Sequence, residues 1–381
     1  MKKESILLFL TILTILICTS CAVMSSSNEN DKPEYYQIAV DKTITKDLKV
    51  LDKDLEGKEI IFTAEFHGMK SNMELELKFF KYLKEKTNFK YYLCELSYAQ
   101  GLMLNKFLET GDTDILDKLF IHYKGTYAYT KDSYNRWLQL YEYNKKLSAE
   151  DKIKIIGVDV EHQYEYAIRV IKELLPNDAP PADIKENIYI LKLNKLNNKI
   201  IKTIHDDMLA KEDIYRSYLG EKYFDVEMIL RNIKNLFYVK ENLDLFNARR
   251  DTVMYENFID IYNTIEKGIF YGQWGHNHTY QAEEGGIKWF ATYLEEDKFK
   301  DKILTIAYTY NNCEFMNLDG KGGYTVKSFD TFSGYDLPNA DEKTAVLFNI
   351  QDSSSLFHDS AKYFQYILVI SDSKATEPFV K

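Results

Sequence analysis

Glu65 and His67 close one apolar run, Glu59 to Ala64, and His276, Asn277 and His278 close another, Gly268 to Gly275. The chain has only seven histidines, and three stand at these two strand-like ends. Histidine is the side chain whose ordinary pKa permits proton transfer near neutral pH, so this concentration points to acid–base chemistry. Glu65 and His67 are two residues apart and face the same side if the strand continues through them, and Gly68 permits a sharp departure afterwards. Glu95 ends a third apolar run, Tyr91 to Leu96. Asp159 ends a fourth, Lys154 to Val160, and Glu161 and His162 follow it. A carboxylate in such surroundings is costly unless it is paired or used.

Parallel strands would bring these four polar endings to one rim, which is the arrangement of a catalytic cleft. Glu95 or Asp159 taken singly could as well cap a following helix. His162 reads as structural, and His122, His205 and His358 stand in polar stretches that read as exposed. Glu65, His67 and His276 taken together read as functional.

The elements that must position these residues follow from the hydrophobic pattern. The four runs, with a fifth at Ile303 to Tyr310, are continuously apolar, as expected for parallel strands covered by helices on both faces. Helical patterns lie between them, over Asn72–Lys86, Tyr98–Leu108 ending at Gly111-Asp112, and Ser133–Leu147. The chain therefore reads as an α/β fold with a central, largely parallel sheet flanked by helices. Ligands in such sheets bind beyond the carboxyl ends of the strands. From Asp183 to Lys267 there is no proline and one glycine, which marks a helical insertion able to cap the site. Ala345–Ile350 and Phe364–Ile370 read as edge strands, and Gly320 to Gly323 as a turn.

The first residues combine Lys2 and Lys3 with an apolar stretch from Ile6 to Ile17 and the ending Cys18-Thr19-Ser20-Cys21. This reads as a signal peptide over residues 1–20, since the apolar core is short for a membrane span, which takes about 20 residues. Thr19-Ser20-Cys21 resembles a bacterial lipobox, which implies lipidation of Cys21 and an extracytoplasmic protein anchored to the cell membrane. The polar tract after it reads as a tether over residues 21–40, leaving 41–381 as the folded domain. The formal charge of −10 argues against a nucleic-acid partner. Cys94 and Cys313 could pair or remain as buried thiols.

Thr63-Ala64-Glu65-Phe66-His67-Gly68, Leu93-Cys94-Glu95, Trp137 with Leu140 to Asn144, and Ile156-Gly157-Val158-Asp159 resemble successive signatures of the erythromycin esterase-like family. Ala248 to Asn257 is similar to that family's Arg-Asp-x-x-Met-x-x-Asn helix, and Trp274-Gly275-His276-Asn277 to its late His-Asn motif. The match runs from about Glu59 to Tyr280. One residue separates Glu65 from His67, where the family has two, Ala64 replaces a glycine, and only Lys78 stands near the place of the family's arginine.

The resemblance implies a hydrolase of non-serine type acting on a small-molecule ester or lactone. His67 would then be the general base, Glu65 or Glu95 would orient it, and His276 would polarise the carbonyl or assist the leaving group. Asp159, His278 and Arg250 would support the cleft. No cofactor is expected on this reading. An alternative is a divalent metal held by Glu65, His67, Glu95, His276 and His278. The shorter Glu-x-His spacing is also similar to the wider superfamily with haem-binding ChaN-type lipoproteins and metal-dependent TIKI-type proteases. A non-catalytic surface protein binding haem or another small ligand is thus a further alternative.

Overall fold

The computed structural model describes residues 35–40, 45–193, 196–319, 323–332, 341 and 343–379. The leader, Cys21, most of the tether and the first three residues of the turn expected at Gly320 lie outside them.

The first half of the chain alternates strands and helices: Tyr35–Ala39 (β1), Ile60–Glu65 (β2), Lys70–Thr87 (α1), Tyr91–Ser97 (β3), Tyr98–Thr110 (α2), Thr113–His122 (α3), Lys131–Lys145 (α4), Lys154–Asp159 (β4) and Tyr164–Leu174 (α5). The segment expected to be helical follows as Lys185–Leu191 (α6), Asn198–Ala210 (α7), Glu212–Leu219 (α8), Tyr223–Lys240 (α9) and Phe246–Thr264 (α10). Phe270–Gly275 (β5), Phe290–Glu296 (α11), Ile303–Asn311 (β6), Cys313–Leu318 (β7), Tyr324–Phe329 (β8), Thr344–Asn349 (β9) and Tyr366–Ser371 (β10) complete it. The expected α/β class is the one observed. Eight strands form a sheet in the order β1-β9-β10-β6-β2-β5-β3-β4, in which β9 runs against both of its neighbours and the β10-to-β4 portion is parallel.

All six residues of β2 are buried, because the sheet has a hydrophobic layer on each face. Ile61, Phe79, Tyr92, Trp137 and Tyr271 pack together on one side with α1 and α4. Ile60, Phe62, Met254, Phe258, Phe270, Trp274 and Phe290 pack on the other, with α10 and α11. Apolar residues on alternate positions of a strand feed opposite layers, so an unbroken apolar run is what this position demands. The helical segment thus joins the sheet directly, since α10 is one of its covering helices.

Four elements carry little sequence signal. β1 pairs with β9 at the sheet edge, and β7 and β8 form a separate antiparallel hairpin whose second strand is largely exposed. α3 follows α2 after only two residues, with Asp112 capping it through the Asp114 amide. Cys94 and Cys313 are both buried free thiols, so the pairing left open by the sequence does not occur. His205 departs from its exposed reading. It is 2% exposed and tied between Glu227, at 3.0 Å from Nε2, and the Lys234 ammonium, at 3.0 Å from Nδ1, which fastens α7 to α9.

Candidate active site

The site forms where neighbouring strands part. β5 pairs with β2 through Glu65↔Gly275, but with β3 only at Tyr91↔Phe270 and Tyr92↔Tyr271. Beyond Tyr92 the Trp274 indole takes over, donating from Nε1 to the Leu93 carbonyl at 2.8 Å. The β3–β4 register also shifts between Cys94 and Ser97, an irregularity that turns Glu95 away from the regular ladder. A cleft of about 410 Å³ opens at these carboxyl ends, lined by Glu65, His67, Glu95, Asp159, His162 and Arg250 among others. A second cavity, of about 340 Å³, lies on the α1–α4 side and shares Arg136, but no histidine lines it.

His67 Nδ1 donates to Glu65 Oε1 at 2.8 Å, while the ring is 42% exposed and tilted beneath Tyr127 at 5.7 Å between centroids. Its backbone neighbour is fixed on both sides: the Phe66 amide donates to the Tyr310 hydroxyl, and the Phe66 carbonyl accepts from Asn72 Nδ2 at 2.8 Å. Gly68, at φ +97°, turns the chain away, and a Cβ there would meet the Met316 carbonyl at 2.8 Å. Desolvation opposes protonation of His67, but the Glu65 hydrogen bond and the charges of Glu65 and Glu95 outweigh it and raise its pKa.

Behind Glu65 runs a chain of residues that the sequence did not single out. Gln273 donates from Nε2 to Glu65 Oε2 at 3.0 Å and to Glu76 Oε2 at 3.3 Å. Glu76, fully buried, accepts two 2.7 Å bonds from Arg136 Nη1. Burial raises the Glu76 pKa to about 7, against the pull of Arg136. The available signals were a glutamate on the buried stripe of α1 beside Leu75 and Phe79, and a glutamine inside the apolar β5.

The floor of the cleft is a second network. Arg250 donates from Nε to Asp159 Oδ1 at 2.9 Å, and from Nη2 to Asp159 Oδ2 and Glu95 Oε1 at 2.6 Å each. The Gly275 amide donates to Glu95 Oε2 at 2.8 Å. His278 Nδ1 donates to Asp251, which also accepts the Phe290 amide. Its Nε2 lies 2.9 Å from Arg250 Nη1 and 3.3 Å from Glu95 Oε1. A guanidinium only donates, so a bare Nε2 accepts from Arg250, whereas a protonated one donates to Glu95. Desolvation disfavours the imidazolium, but Asp251 and Glu95 prevail and raise the His278 pKa to about 10. Burial alone would lift the carboxyls of Glu95 and Asp159, yet both are held below the usual carboxylate range, Glu95 chiefly by His278 and Arg250, Asp159 chiefly by Arg250 and His162.

The structure therefore brings Glu65, His67, Glu95, Asp159, His278 and Arg250 together, and adds His162, whose Nε2 donates to Asp159 Oδ2 at 3.2 Å. It does not bring His276 to them. That ring stacks on Phe66 at 4.7 Å, meets Phe364 and Tyr280 edge-on, and does not line the cleft. Among the described residues its Nδ1 is buried without a partner, and burial lowers its pKa to about 4. Lys78 turns away as well, its ammonium paired with Asp47 at 2.9 Å. Among the described residues no three His, Cys, Asp or Glu side chains converge as metal ligands. Arg250 fills the space between Glu95 and Asp159 that a cation would need.

No protein-family model matches the chain, and no curated protein matches it in sequence. Solved structures do share its fold. A Bacillus cereus protein superposes with a TM-score of 0.67 at 17% identity, covering 90% of this chain and 96% of its own. A succinoglycan biosynthesis protein gives 0.67 at 15%, covering 90% and 95%. The erythromycin esterase EreC, as a mutant in its open conformation, gives 0.65 at 11%, covering 91% of this chain and all of its own.

Proposed function

We propose that the chain is a hydrolase in which His67 activates a water molecule for attack on an ester or lactone carbonyl. The observation that carries this is the Glu65–His67 pair at the cleft mouth, with Nδ1 committed to the carboxylate at 2.8 Å and the ring half-exposed. That bond fixes the tautomer and leaves Nε2 to accept a proton. In the reaction Nε2 takes a proton from water as its oxygen bonds to the carbonyl carbon. The C–O bond to the leaving alcohol then breaks, and the same proton passes from His67 to the departing oxygen. The Arg250, Glu95, Asp159 and His278 network supplies a rigid, charged floor that needs no reorganisation during the step. A fold held in common with an erythromycin esterase is in keeping with ester chemistry.

The test is turnover on a panel of esters and lactones. A folded His67→Ala variant is expected to lose about 10²- to 10⁴-fold in kcat/KM. Unchanged turnover in that variant defeats the proposal. Activity after exhaustive chelation is expected to be retained. Its loss with EDTA and its return with Zn²⁺ or Mn²⁺ would favour the metal-dependent alternative instead.

We further propose that Cys21 is acylated and anchors the domain to the outer face of a bacterial cell membrane. The lipobox-like ending and the polar tract after it support this, and no described helix is long and apolar enough to cross a membrane. Palmitate labelling that is unaffected by Cys21→Ala would refute the anchor.

A further inference from the structure

Two residues that border the cleft each carry a buried hydrogen-bond donor with no partner among the described residues. Arg136 bonds only from Nη1, to the two oxygens of Glu76, and its Nε is buried without an acceptor. The Tyr123 hydroxyl is buried and unbonded, in a residue 3% exposed. Arg136 borders both cavities, but Tyr123 borders only the cleft that holds His67, and the two lie within electrostatic reach of each other. Burying a donor without an acceptor is costly, so two of them in one wall mark a place where a ligand supplies the acceptor.

The chemistry of that acceptor follows from the open edge. The Nε side of a guanidinium is a fork that matches the two oxygens of a planar carboxylate. Arg250 uses that edge in this protein, clamping Asp159 through Nε and Nη2. In Arg136 the carboxylate sits on Nη1 instead, which leaves the Nε edge unclaimed. The guanidinium lies over the Trp137 ring, 4.5 Å from its centre, which fixes its plane. Tyr92 and Trp137, both nearly fully buried, back the cleft wall here with apolar rings. Glu76 already balances the arginine charge, so the subsite suits a monoanion rather than a phosphate dianion.

We propose that Arg136 and Tyr123 form a carboxylate-binding subsite, and that the substrate is an ester with an apolar body ending in a free carboxylate. This rests on the cleft being the hydrolytic site.

Binding of 3-phenylpropanoate and of its neutral amide to the full chain, measured by calorimetry at about pH 7.5, reads the subsite without turnover. The acid is expected to bind about tenfold more tightly than the amide, Arg136→Gln to abolish that preference, and Tyr123→Phe to reduce it about threefold. Should Arg136→Gln fail to fold with Glu76 stranded, Glu76→Gln keeps the guanidinium and removes its internal competitor. That change is expected to tighten the acid severalfold and leave the amide unmoved, a direction that structural damage does not give. Equal binding of acid and amide by the wild type, or a preference indifferent to both Tyr123→Phe and Glu76→Gln, overturns the subsite. Hydrolysis of 4-nitrophenyl hemiglutarate against 4-nitrophenyl pentanoate separates the two readings. Selective acid binding with neither ester cleaved defeats the hydrolase and leaves the subsite. Equal cleavage of both, with no acid preference in binding, does the reverse.

Discussion

Arg250 of α10 grips Asp159 of β4 side-on, Nε to Oδ1 at 2.9 Å and Nη2 to Oδ2 at 2.6 Å, across 91 residues of sequence. The Asp159 side chain is 3% exposed and that of Arg250 11%, so neither charge is replaced by water when the other is lost. Arg250→Met is therefore expected to destabilise the fold by about 3–5 kcal/mol, the usual result of stranding a buried partner. Urea denaturation of the two proteins checks the size. Arg250→Lys is expected to recover only part of it, because an ammonium cannot reproduce the fork.

The Glu65 bond makes His67 a stronger base, which in the proposed hydrolase sets the pH at which it would act. Protonated His67 cannot accept a proton, so kcat/KM falls as pH drops through the histidine pKa. Glu65→Gln removes the nearer of the two carboxylate charges that raise that pKa and leaves Glu95, and the acid limb of the profile is expected to move to lower pH while the maximum rate declines. An acid limb that stays in place in the variant would assign it to another group.

Gly275 keeps the floor clear beneath the base. A Cβ built there lies 3.0 Å from Glu95 Oε2 and 3.4 Å from His67 Nε2. Gly275→Ala is expected to lower kcat about tenfold or more, since a displacement near 1 Å is enough at a reacting group. Thermal denaturation is expected to change little by comparison, and a melting temperature that falls in step with the rate would point to a general loss of packing.

Glu161 gives a stability prediction with a definite sign. It is 1% exposed, its Oε1 accepts the Ala99 amide at 2.9 Å, and burial raises its pKa to about 8. The native state therefore holds a proton that the unfolded chain releases near the ordinary glutamate value. Stability associated with that proton is complete at low pH and is lost as pH rises toward about 8. Glu161→Gln keeps the acceptor and removes the ionisation. The variant is expected to match wild type near pH 5 and to melt higher near pH 9, as differential scanning calorimetry would read. Equal melting at both pH values contradicts it.

Much of the sheet is visible in the sequence because its parallel strands are mainly apolar runs, three of which, β2, β3 and β4, carry a carboxylate at or near their carboxyl ends. Glu65, Glu95 and Asp159 stand out because a carboxylate next to residues such as Ile61, Leu93 and Val158 needs a reason. β1, β7 and β8 give no such contrast, since an edge strand and a surface hairpin have no second apolar layer to satisfy. The same cause hides part of the site. Glu76 and Arg136 reach Glu65 only through Gln273, and none of the three has a neighbour in sequence that reveals the other two. His276 misleads for the opposite reason. Its motif and strand-end place match those of His67, but its neighbours in space are Phe66, Tyr280 and Phe364, a contact set that local sequence does not carry.

The position of β5 between β2 and β3 has a consequence for how the protein comes into being. Residues 60–65 and 91–97 leave the ribosome long before residue 270, so during synthesis β2 and β3 wait with unpaired edges for a strand nearly 180 residues behind β3. The carboxylate of Glu95 has neither the Gly275 amide nor Arg250 until then. Nascent chains released before that strand arrives should be prone to stick to one another through those edges and incapable of turnover. The cell therefore meets the candidate site only as the product of a nearly finished polypeptide.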